Sequence, residues 1–313
     1  MARTYPQLMS LHELRYTLSQ LKLHKLTVGP DGRNRCMLSP FASKSGRNQP
    51  SNAKFVFGPA TWIRSLIAPP PGWGVAYCDW SAQEFGIAAY LSGDPGMIRL
   101  YETDPYLGFA KLVNFAPDSA TKESHREVRD LFKVVMLSML YGAQAKLLAA
   151  RLGCSTPQAE EVLRQKRMRF PRFCAWSEAA VNTAMLNRVI TTSYGWSRHT
   201  VRKDRANSLA NHLVQGNGAD MLRIACVLAH ERGVEITAPI HDAAMIQAPL
   251  DQLEEQTARM RQAMSDASAA VLGGPRLRTD AKLVPYPSRY SDARGAKVWA
   301  TVMEILAELE SRG

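Results

Sequence analysis

The chain has 313 residues, 46% of them hydrophobic, which is enough for one large domain or two subdomains with a substantial core. Its 39 lysines and arginines exceed its 28 aspartates and glutamates, and the net charge of +11 favours a polyanionic partner, nucleic acid first. The apolar runs are too short to span a bilayer and the N-terminus lacks the apolar core of a signal peptide, so we expect a cytoplasmic protein without a membrane partner.

The five cysteines are scattered along the chain and form no Cys-x-x-Cys pair. This spacing predicts neither a zinc site nor a disulfide framework. We therefore expect reduced cysteines, as in most cytoplasmic proteins.

The N-terminal part of the chain combines one amphipathic helix with a long irregular segment. Leucines at helical spacing predict a helix over residues 8–25. Residues 29–60 are rich in Gly, Asn, Pro and Ser and carry several cations, Lys44 and Arg47 among them. This composition predicts turns and short strands.

Asp79 follows the first strongly apolar strand candidate, Val75–Cys78. Its carboxylate is therefore expected to project from a rigid element. Taken alone, such an aspartate is more often a turn residue or a helix cap. A helix is predicted over residues 84–92, and residues 94–96 (Asp-Pro-Gly) end it.

The middle of the chain is almost continuously helical and contains one β-branched stretch. Helices are predicted over residues 106–114, 123–152, 156–168, 172–187 and 204–232, with a β-hairpin over residues 189–202.

The helix predicted over residues 123–152 carries Arg129, Lys133, Leu137 and Tyr141 at intervals of four. Two cations and one aromatic ring thus share a face of the helix. That face suits a triphosphate and a nucleobase, although an exposed helix with a basic stripe has the same pattern.

The last part of the chain returns to strands. Residues 235–249 alternate like two strands, with Asp242 at the tip between them. A turn aspartate is the ordinary interpretation, but two carboxylates on separate strands are also what two-metal phosphoryl transfer requires. A helix over residues 251–271 and a short tail follow. Strands at both ends and helices between them predict an α+β fold.

Three motifs, in this order, resemble those of the family A DNA polymerases, the bacterial DNA polymerase I group. The residues that carry the resemblance are Asp79 and Glu84 of motif A, Arg129, Lys133, Tyr141 and Gly142 of motif B, and His241 and Asp242 of motif C.

Flanking segments resemble the same family, from about residue 10 to the C-terminus. Residues 45–47 (Ser-Gly-Arg) resemble a Thr-Gly-Arg segment that contacts the primer-template in the family. Residues 62–64 (Trp-Ile-Arg) contain an Ile-Arg pair like the one before motif A, whose arginine faces the triphosphate. Asn211 and Gln215 resemble positions on a helix that reaches the minor groove.

The resemblance implies a right-hand polymerase fold, an α+β arrangement with an antiparallel palm sheet and a helical fingers insertion. Residues 1–95 would form the N-terminal part of the palm, with a remnant of the last thumb helix. Residues 96–203 would form the fingers and residues 204–313 the C-terminal part of the palm.

The implied activity is template-directed transfer of deoxynucleotides to a primer 3′-hydroxyl, with two Mg²⁺ ions. The implied catalytic and metal-binding groups are Asp79, Asp242 and the Trp80 carbonyl. The implied nucleotide-binding residues are Arg64, Glu84, Arg129, Lys133, Leu137 and Tyr141. The implied DNA-binding residues are Lys44, Arg47, Gly142, Asn211, Gln215 and His241.

Glu84 is implied to be a steric gate that excludes a ribose 2′-hydroxyl, with Tyr141 as the opposite wall. Related single-subunit RNA polymerases carry a small residue at the gate. The glutamate therefore favours deoxynucleotides over ribonucleotides.

The chain departs from the family pattern in several places. Ala243 replaces the motif C glutamate, from which we expect reduced activity, and Leu137 replaces an aromatic residue that bears on sugar discrimination. Tyr106 stands where the family has a histidine, and Asn207 where it has an arginine. Most of the thumb and any exonuclease domain are expected to be absent, so synthesis should be distributive.

Two alternatives stay open at this point. One is a DNA-binding module on a polymerase scaffold with weak or lost catalysis, which a separate chain would complete. The other is a metal-dependent nuclease that uses the same carboxylates. The second leaves the Arg129–Tyr141 spacing unexplained, and we rank it last.

Overall fold

The computed structural model describes residues 25–58, 60–201 and 203–312, together with Leu11, Arg15, Leu18 and Leu23. The helix predicted over residues 8–25 therefore falls almost entirely outside the described residues.

The described chain is a mixture of helices and antiparallel strands. The α-helices are α1 Gln83–Ser92, α2 Pro95–Tyr101, α3 Pro105–Leu112, α4 Arg126–Leu140, α5 Ala145–Leu152, α6 Thr156–Arg169, α7 Pro171–Asn187, α8 Ala206–Glu231, α9 Leu253–Leu272 and α10 Ala296–Glu310. The strands are β1 Trp73–Trp80, β2 Val189–Thr191, β3 Ser197–His199, β4 Glu235–Ile240, β5 Ala243–Pro249 and β6 Thr279–Pro285, and a 3₁₀ helix spans Thr61–Leu66.

Four strands form one antiparallel sheet in the order β4-β5-β1-β6, and β2 pairs with β3 in a separate hairpin. The helices α8 and α9 pack against each other, and α9 also contacts β1, β5 and β6. The α+β class is confirmed, because a run of helices separates β1 from the strands that flank it in the sheet.

The two faces of β1 contact different cores, because successive side chains of a strand point to opposite sides. Ala76 and Cys78 belong to the large core that includes the helices. Val75 and Tyr77 belong to a smaller cluster on the other face, with aromatic residues of the N-terminal segment. Asp79 continues the series of Val75 and Tyr77.

Several predicted elements have different bounds in the structure. The single helix expected over residues 123–152 is two helices, α4 and α5, because Gly142 adopts a left-handed φ of +72° between them. Residues 94–96 do more than end a helix, since Pro95 begins α2. Strand β1 continues through Asp79 to Trp80. Within the segment 29–60, the described backbone has turns and a single bridge to Val28 rather than strands.

No helix in the described parts of the chain combines the length and the apolar character needed to cross a membrane. All five cysteines are free thiols in the structure.

Asp94 joins the first helices after β1 to the start of α7. One carboxylate oxygen accepts hydrogen bonds from the backbone N–H groups of Gly96 (2.9 Å) and Met97 (3.1 Å). The other accepts from those of Arg172 (3.0 Å) and Phe173 (3.2 Å). Because this side chain is fully buried, no water can replace it as the cap of two helix N-termini.

We predict that Asp94→Ala lowers the free energy of unfolding by about 3 kcal/mol or more, since four backbone N–H groups, two of them on the buried residues Met97 and Phe173, lose their acceptor. Urea denaturation would measure the change. Asp94→Asn retains one acceptor oxygen and should lose less. The control is Ser155→Ala, which removes an exposed capping box and should cost about 1 kcal/mol. Equal losses for Asp94→Ala and Ser155→Ala would contradict this account.

Candidate active site

The antiparallel register brings three aspartates to one end of the sheet. Asp79 of β1 lies opposite Ala243 of β5 on one side and opposite Asp280 of β6 on the other. Asp242 directly precedes β5, and its carbonyl accepts a hydrogen bond from the Trp80 backbone N–H at 3.3 Å. The two aspartates predicted to be catalytic therefore lie at the same sheet end, Asp79 within β1 and Asp242 in the turn that leads into the adjacent strand β5.

Trp80 fixes the end of β1 against the helical layer. Its side chain is only 2% exposed, and its indole N–H donates to the carbonyl oxygen of Met264 at 3.2 Å. A buried indole with a hydrogen-bond partner anchors the backbone on which Asp79 lies.

The electrostatics of this sheet end are those of crowded carboxylates. Burial, together with the negative charges of Asp242 and Asp280, raises the pKa of Asp79 to about 6, although the positive charge of Lys133 acts in the opposite direction. Asp280 was not singled out from the sequence. In the sequence it is only one acidic residue in the tail that follows the last predicted helix.

A cavity of about 880 Å³ opens at this sheet end. Seven of the residues predicted to bind metal or nucleotide line it: Asp79, Trp80, Glu84, Arg129, Lys133, Leu137 and Asp242. Further charged or aromatic lining residues that the sequence did not single out as ligands are Asp104, Tyr106, Lys122, Arg261, Arg276, Arg278 and Asp280. Acidic groups from the sheet end thus share one open space with cations from α4, α9 and the surrounding loops.

Arg129 is held in a defined position on this cavity wall. It forms an ion pair with Asp104 and its guanidinium lies 5.6 Å from the centre of the Tyr106 ring. Asp104 also caps α3, since it accepts from the backbone N–H groups of Tyr106 and Leu107. Lys133, one turn further along α4, is exposed.

Glu84 is the centre of a hydrogen-bonded group at the edge of the cavity. One carboxylate oxygen accepts from Arg47 at 3.2 Å and the other accepts from the Tyr141 hydroxyl. Gln215 donates to that hydroxyl at 3.3 Å. The predicted gate residue and its predicted opposite wall are therefore in direct contact.

Arg64 does not line this cavity, although the family resemblance implies that it binds the nucleotide. It forms an ion pair with Asp292 at 2.6 Å and donates to the carbonyl oxygen of Phe57. It lines a second, mainly apolar cavity of about 510 Å³, which Arg47 and His241 also line.

The remaining predicted DNA contacts are spread over neighbouring surfaces. Gly142 lines a third cavity with Asn207, whose side-chain amide donates to the Gly142 carbonyl at 3.1 Å. Asn211 is half-buried and its side-chain oxygen has no protein partner. The Lys44 carbonyl accepts from the Trp196 indole at 3.3 Å.

The donor set at the sheet end suits a hard divalent cation. Among the described residues, no group of three or more Asp, Glu, His or Cys side chains has the geometry of a metal site. The pair Asp79 and Asp242 nevertheless fits Mg²⁺, which takes few carboxylates and fills its shell with water, main-chain oxygens and phosphates. A dication would also relieve the repulsion that, after burial, contributes to the raised pKa of Asp79.

The arrangement of sheet and helices is that of a right-hand polymerase domain. The structure aligns with a TM-score of 0.75 to the POL domain of Pol1 from M. smegmatis, solved in complex with DNA primer-template and dNTP. The match covers 92% of this chain and 52% of that one, at 21% sequence identity.

Sequence comparison identifies the family. The model of DNA polymerase family A matches residues 58–282, and the chain belongs to this family. A thermostable DNA polymerase I of Thermus filiformis is 27% identical over 220 residues, covering 66% of this chain and 26% of that protein. The DNA polymerase of Mycobacterium phage L5 is 28% identical over 250 residues, which cover 78% of this chain and 40% of that protein. The chain thus spans less than half the length of these relatives.

We predict that Asp79→Asn stabilises the metal-free protein at about pH 7.5, by about 1–2 kcal/mol after allowance for solvent screening. The folded carboxyl titrates at about 6 against an ordinary 3.8, so the folded state binds the proton more tightly. The charge of Asp79 therefore opposes folding above pH 6. The stabilisation by Asp79→Asn should shrink as the pH falls from about 6 to about 4, where the folded carboxyl is protonated. Urea denaturation of both proteins in EDTA, from about pH 4 to about pH 7.5, measures the difference in the free energy of unfolding.

Asp266→Asn is the control with the opposite sign. Hydrogen bonds from Arg276 and Arg232 lower the pKa of Asp266 to about 2. Its charge stabilises the fold above its ordinary pKa, and that contribution is lost as the pH falls toward about 2. Asp266→Asn should therefore destabilise the protein at neutral pH. A destabilising Asp79→Asn under the same conditions would contradict the crowded-carboxylate account.

Proposed function

We propose that this chain is a template-directed DNA polymerase that transfers deoxynucleotides to a primer 3′-hydroxyl. One observation carries the proposal: Asp79 and Asp242, at one end of the palm sheet, face Arg129 and Lys133 of α4 across a single cavity. Nucleotidyl transfer requires this combination of acidic metal ligands and cations for a triphosphate. Membership of the family supports the assignment.

In this proposal Asp79, Asp242 and the main-chain carbonyl of Trp80 would hold two Mg²⁺ ions. When bound, the ions would lower the pKa of the primer hydroxyl and neutralise the departing pyrophosphate. The contribution of the chain is rigidity, because both aspartates are fixed by adjacent strands. Preorganised ligands need not be rearranged during the reaction.

The triphosphate would lie along α4, against Lys133 and Arg129. Lys133 is exposed and accessible, whereas Arg129 is already oriented by Asp104. An oriented guanidinium contributes position as well as charge. Leu137 and Tyr141, further along the same face, would then bound the sugar and base, and Glu84 would close the space beside the 2′ carbon.

The primer-template would contact Lys44, Arg47, Gly142, Asn211, Gln215 and His241. Because Arg64 lines the same cavity as Arg47 and His241, we assign it to the primer side rather than to the triphosphate. Residues 1–95 and 204–313 would form the palm and residues 96–203 the fingers. A cytoplasmic location is part of this proposal.

The alternative is a DNA-binding protein with weakened catalysis that depends on a partner chain. The observation in its favour is Ala243, which is fully buried directly opposite Asp79, where the family resemblance places a glutamate at motif C. An alanine supplies no carboxylate at this position.

Primer extension with Mg²⁺ and deoxynucleotides tests the proposal. We predict template-directed extension by the wild type and a loss of at least about 1,000-fold in both Asp79→Ala and Asp242→Ala, because each removes a ligand that acts in the transition state. Asp251→Ala, an exposed aspartate at the far end of β5, is the matched control and should retain activity.

The outcomes separate the candidate functions. Extension that depends on both aspartates supports the polymerase. DNA binding without extension supports the weakened protein. Primer shortening that depends on both aspartates would indicate a nuclease instead.

We predict that Glu84→Ala reduces discrimination against ribonucleotides by about tenfold or more, because it opens the space that a 2′-hydroxyl needs. Single-nucleotide incorporation with dGTP and GTP opposite the same template base would measure the ratio of kcat/KM values. Glu127→Ala, an exposed position on the first turn of α4, is the control. Equal use of dGTP and GTP by the wild type would contradict the role of Glu84 as a steric gate.

A further inference from the structure

The turn that carries Arg47 is held in place by three residues outside it. The turn closes on itself, because the Gly46 N–H donates to the Ser43 carbonyl at 2.9 Å. Gly46 has a left-handed φ of +75°, and a Cβ on it would lie 3.0 Å from the Trp196 indole. The turn therefore packs directly against Trp196, at the tip of the β2–β3 hairpin.

Two side chains outside the turn donate to its main chain. The Trp196 indole N–H donates to the Lys44 carbonyl at 3.3 Å. The guanidinium of Arg223, from α8, donates to the Gly46 carbonyl. Two of the three carbonyls that precede Arg47, those of Lys44 and Gly46, are therefore fixed, one by the hairpin and one by α8.

Phe41 connects these two donors. Its ring stacks on Trp196, with centroids 5.1 Å apart and an interplanar angle of 27°. The Arg223 guanidinium lies 3.9 Å from the centre of the same ring. We call Phe41, Trp196 and Arg223 the turn clamp. Stacking and cation–π contacts of this kind hold side chains in one arrangement.

The turn held by the clamp connects to the nucleotide cavity through Arg47. Arg47 donates to Glu84 at 3.2 Å, and both side chains are largely buried, at 17% and 18% exposure. The other oxygen of Glu84 is held by Tyr141. A glutamate excludes a 2′-hydroxyl only while its carboxylate stays in place, and one contact fewer would give it rotamer freedom.

We propose that Phe41, Trp196 and Arg223 are positioning residues that set the selectivity for deoxyribose by fixing Arg47, and through it Glu84. This inference rests on the proposed polymerase function. It is favoured over a base-stacking platform, the other use of exposed aromatics beside cations. The two rings are stacked on each other and are contacted by Gly46 and Arg223, which leaves less ring surface for a nucleobase.

Equilibrium binding tests the inference without requiring turnover. The full chain is loaded with a dideoxy-terminated primer on a template with cytosine at the first unpaired position. Affinities for dGTP and GTP are then measured in Mg²⁺, and their ratio is the selectivity. For Trp196→Ala and for Phe41→Leu we expect that selectivity to fall about tenfold, through tighter binding of GTP. Trp196→Phe keeps an aromatic ring stacked on Phe41, and this variant should retain most of the selectivity.

Two comparisons separate positioning from a general loss of stability. Tyr194→Ala removes an exposed aromatic ring from the same hairpin and should leave the selectivity unchanged. Arg47→Ala should lower the selectivity by itself, and adding Trp196→Ala to it should have little further effect, because both act through one contact. Phe41→Leu, at a position that is 48% exposed, provides a folded variant should Trp196→Ala not fold.

The outcomes are distinguishable. A selective wild type with less selective Trp196→Ala and Phe41→Leu proteins supports the inference. A selective wild type whose variants are equally selective overturns the inference and leaves the proposed function intact. A wild type that binds neither nucleotide overturns both.

Discussion

The pairing of β1 between β5 and β6 is the constraint on which the candidate site depends. It places Asp79 beside Ala243 and Asp280 and next to the turn that carries Asp242. A slip of one residue would turn Asp79 into the helical core and Trp80 out of it, because side chains alternate along a strand. The buried Trp80, hydrogen-bonded to Met264, opposes such a slip. The position of the carboxylates is therefore a consequence of core packing.

The cations reach these carboxylates through helix packing. The helix α4, which carries Arg129 and Lys133, contacts α1 and α3. Asp94 joins α2 to the start of α7, so the helical insertion is tied to the end of α1 by hydrogen bonds to a buried carboxylate. Sheet and helices thus form two walls of one cavity. The wall of α4 supplies positive charge and the wall of the sheet supplies negative charge, and a metal-bound triphosphate complements this pattern.

The strands around Asp79 and Asp242 could be predicted from the sequence, because buried strands between turn signals are local patterns. The face of α4 could be predicted for the same reason. The break at Gly142 could not, since helical periodicity continues across it. Asp280 lies on an edge strand with little apolar alternation. The ion pair of Arg64 with Asp292, and the stack of Phe41 on Trp196, join distant segments that only the tertiary fold brings together.

A crystal structure of the complex with a dideoxy-terminated primer-template, the matching deoxynucleotide and Mg²⁺ tests the central claim most directly. The account predicts electron density for metal between Asp79 and Asp242, with the triphosphate against Lys133 and Arg129 and the sugar against Glu84. A nucleotide bound in the cavity of Arg64 and His241, or metal held without either aspartate, would contradict it.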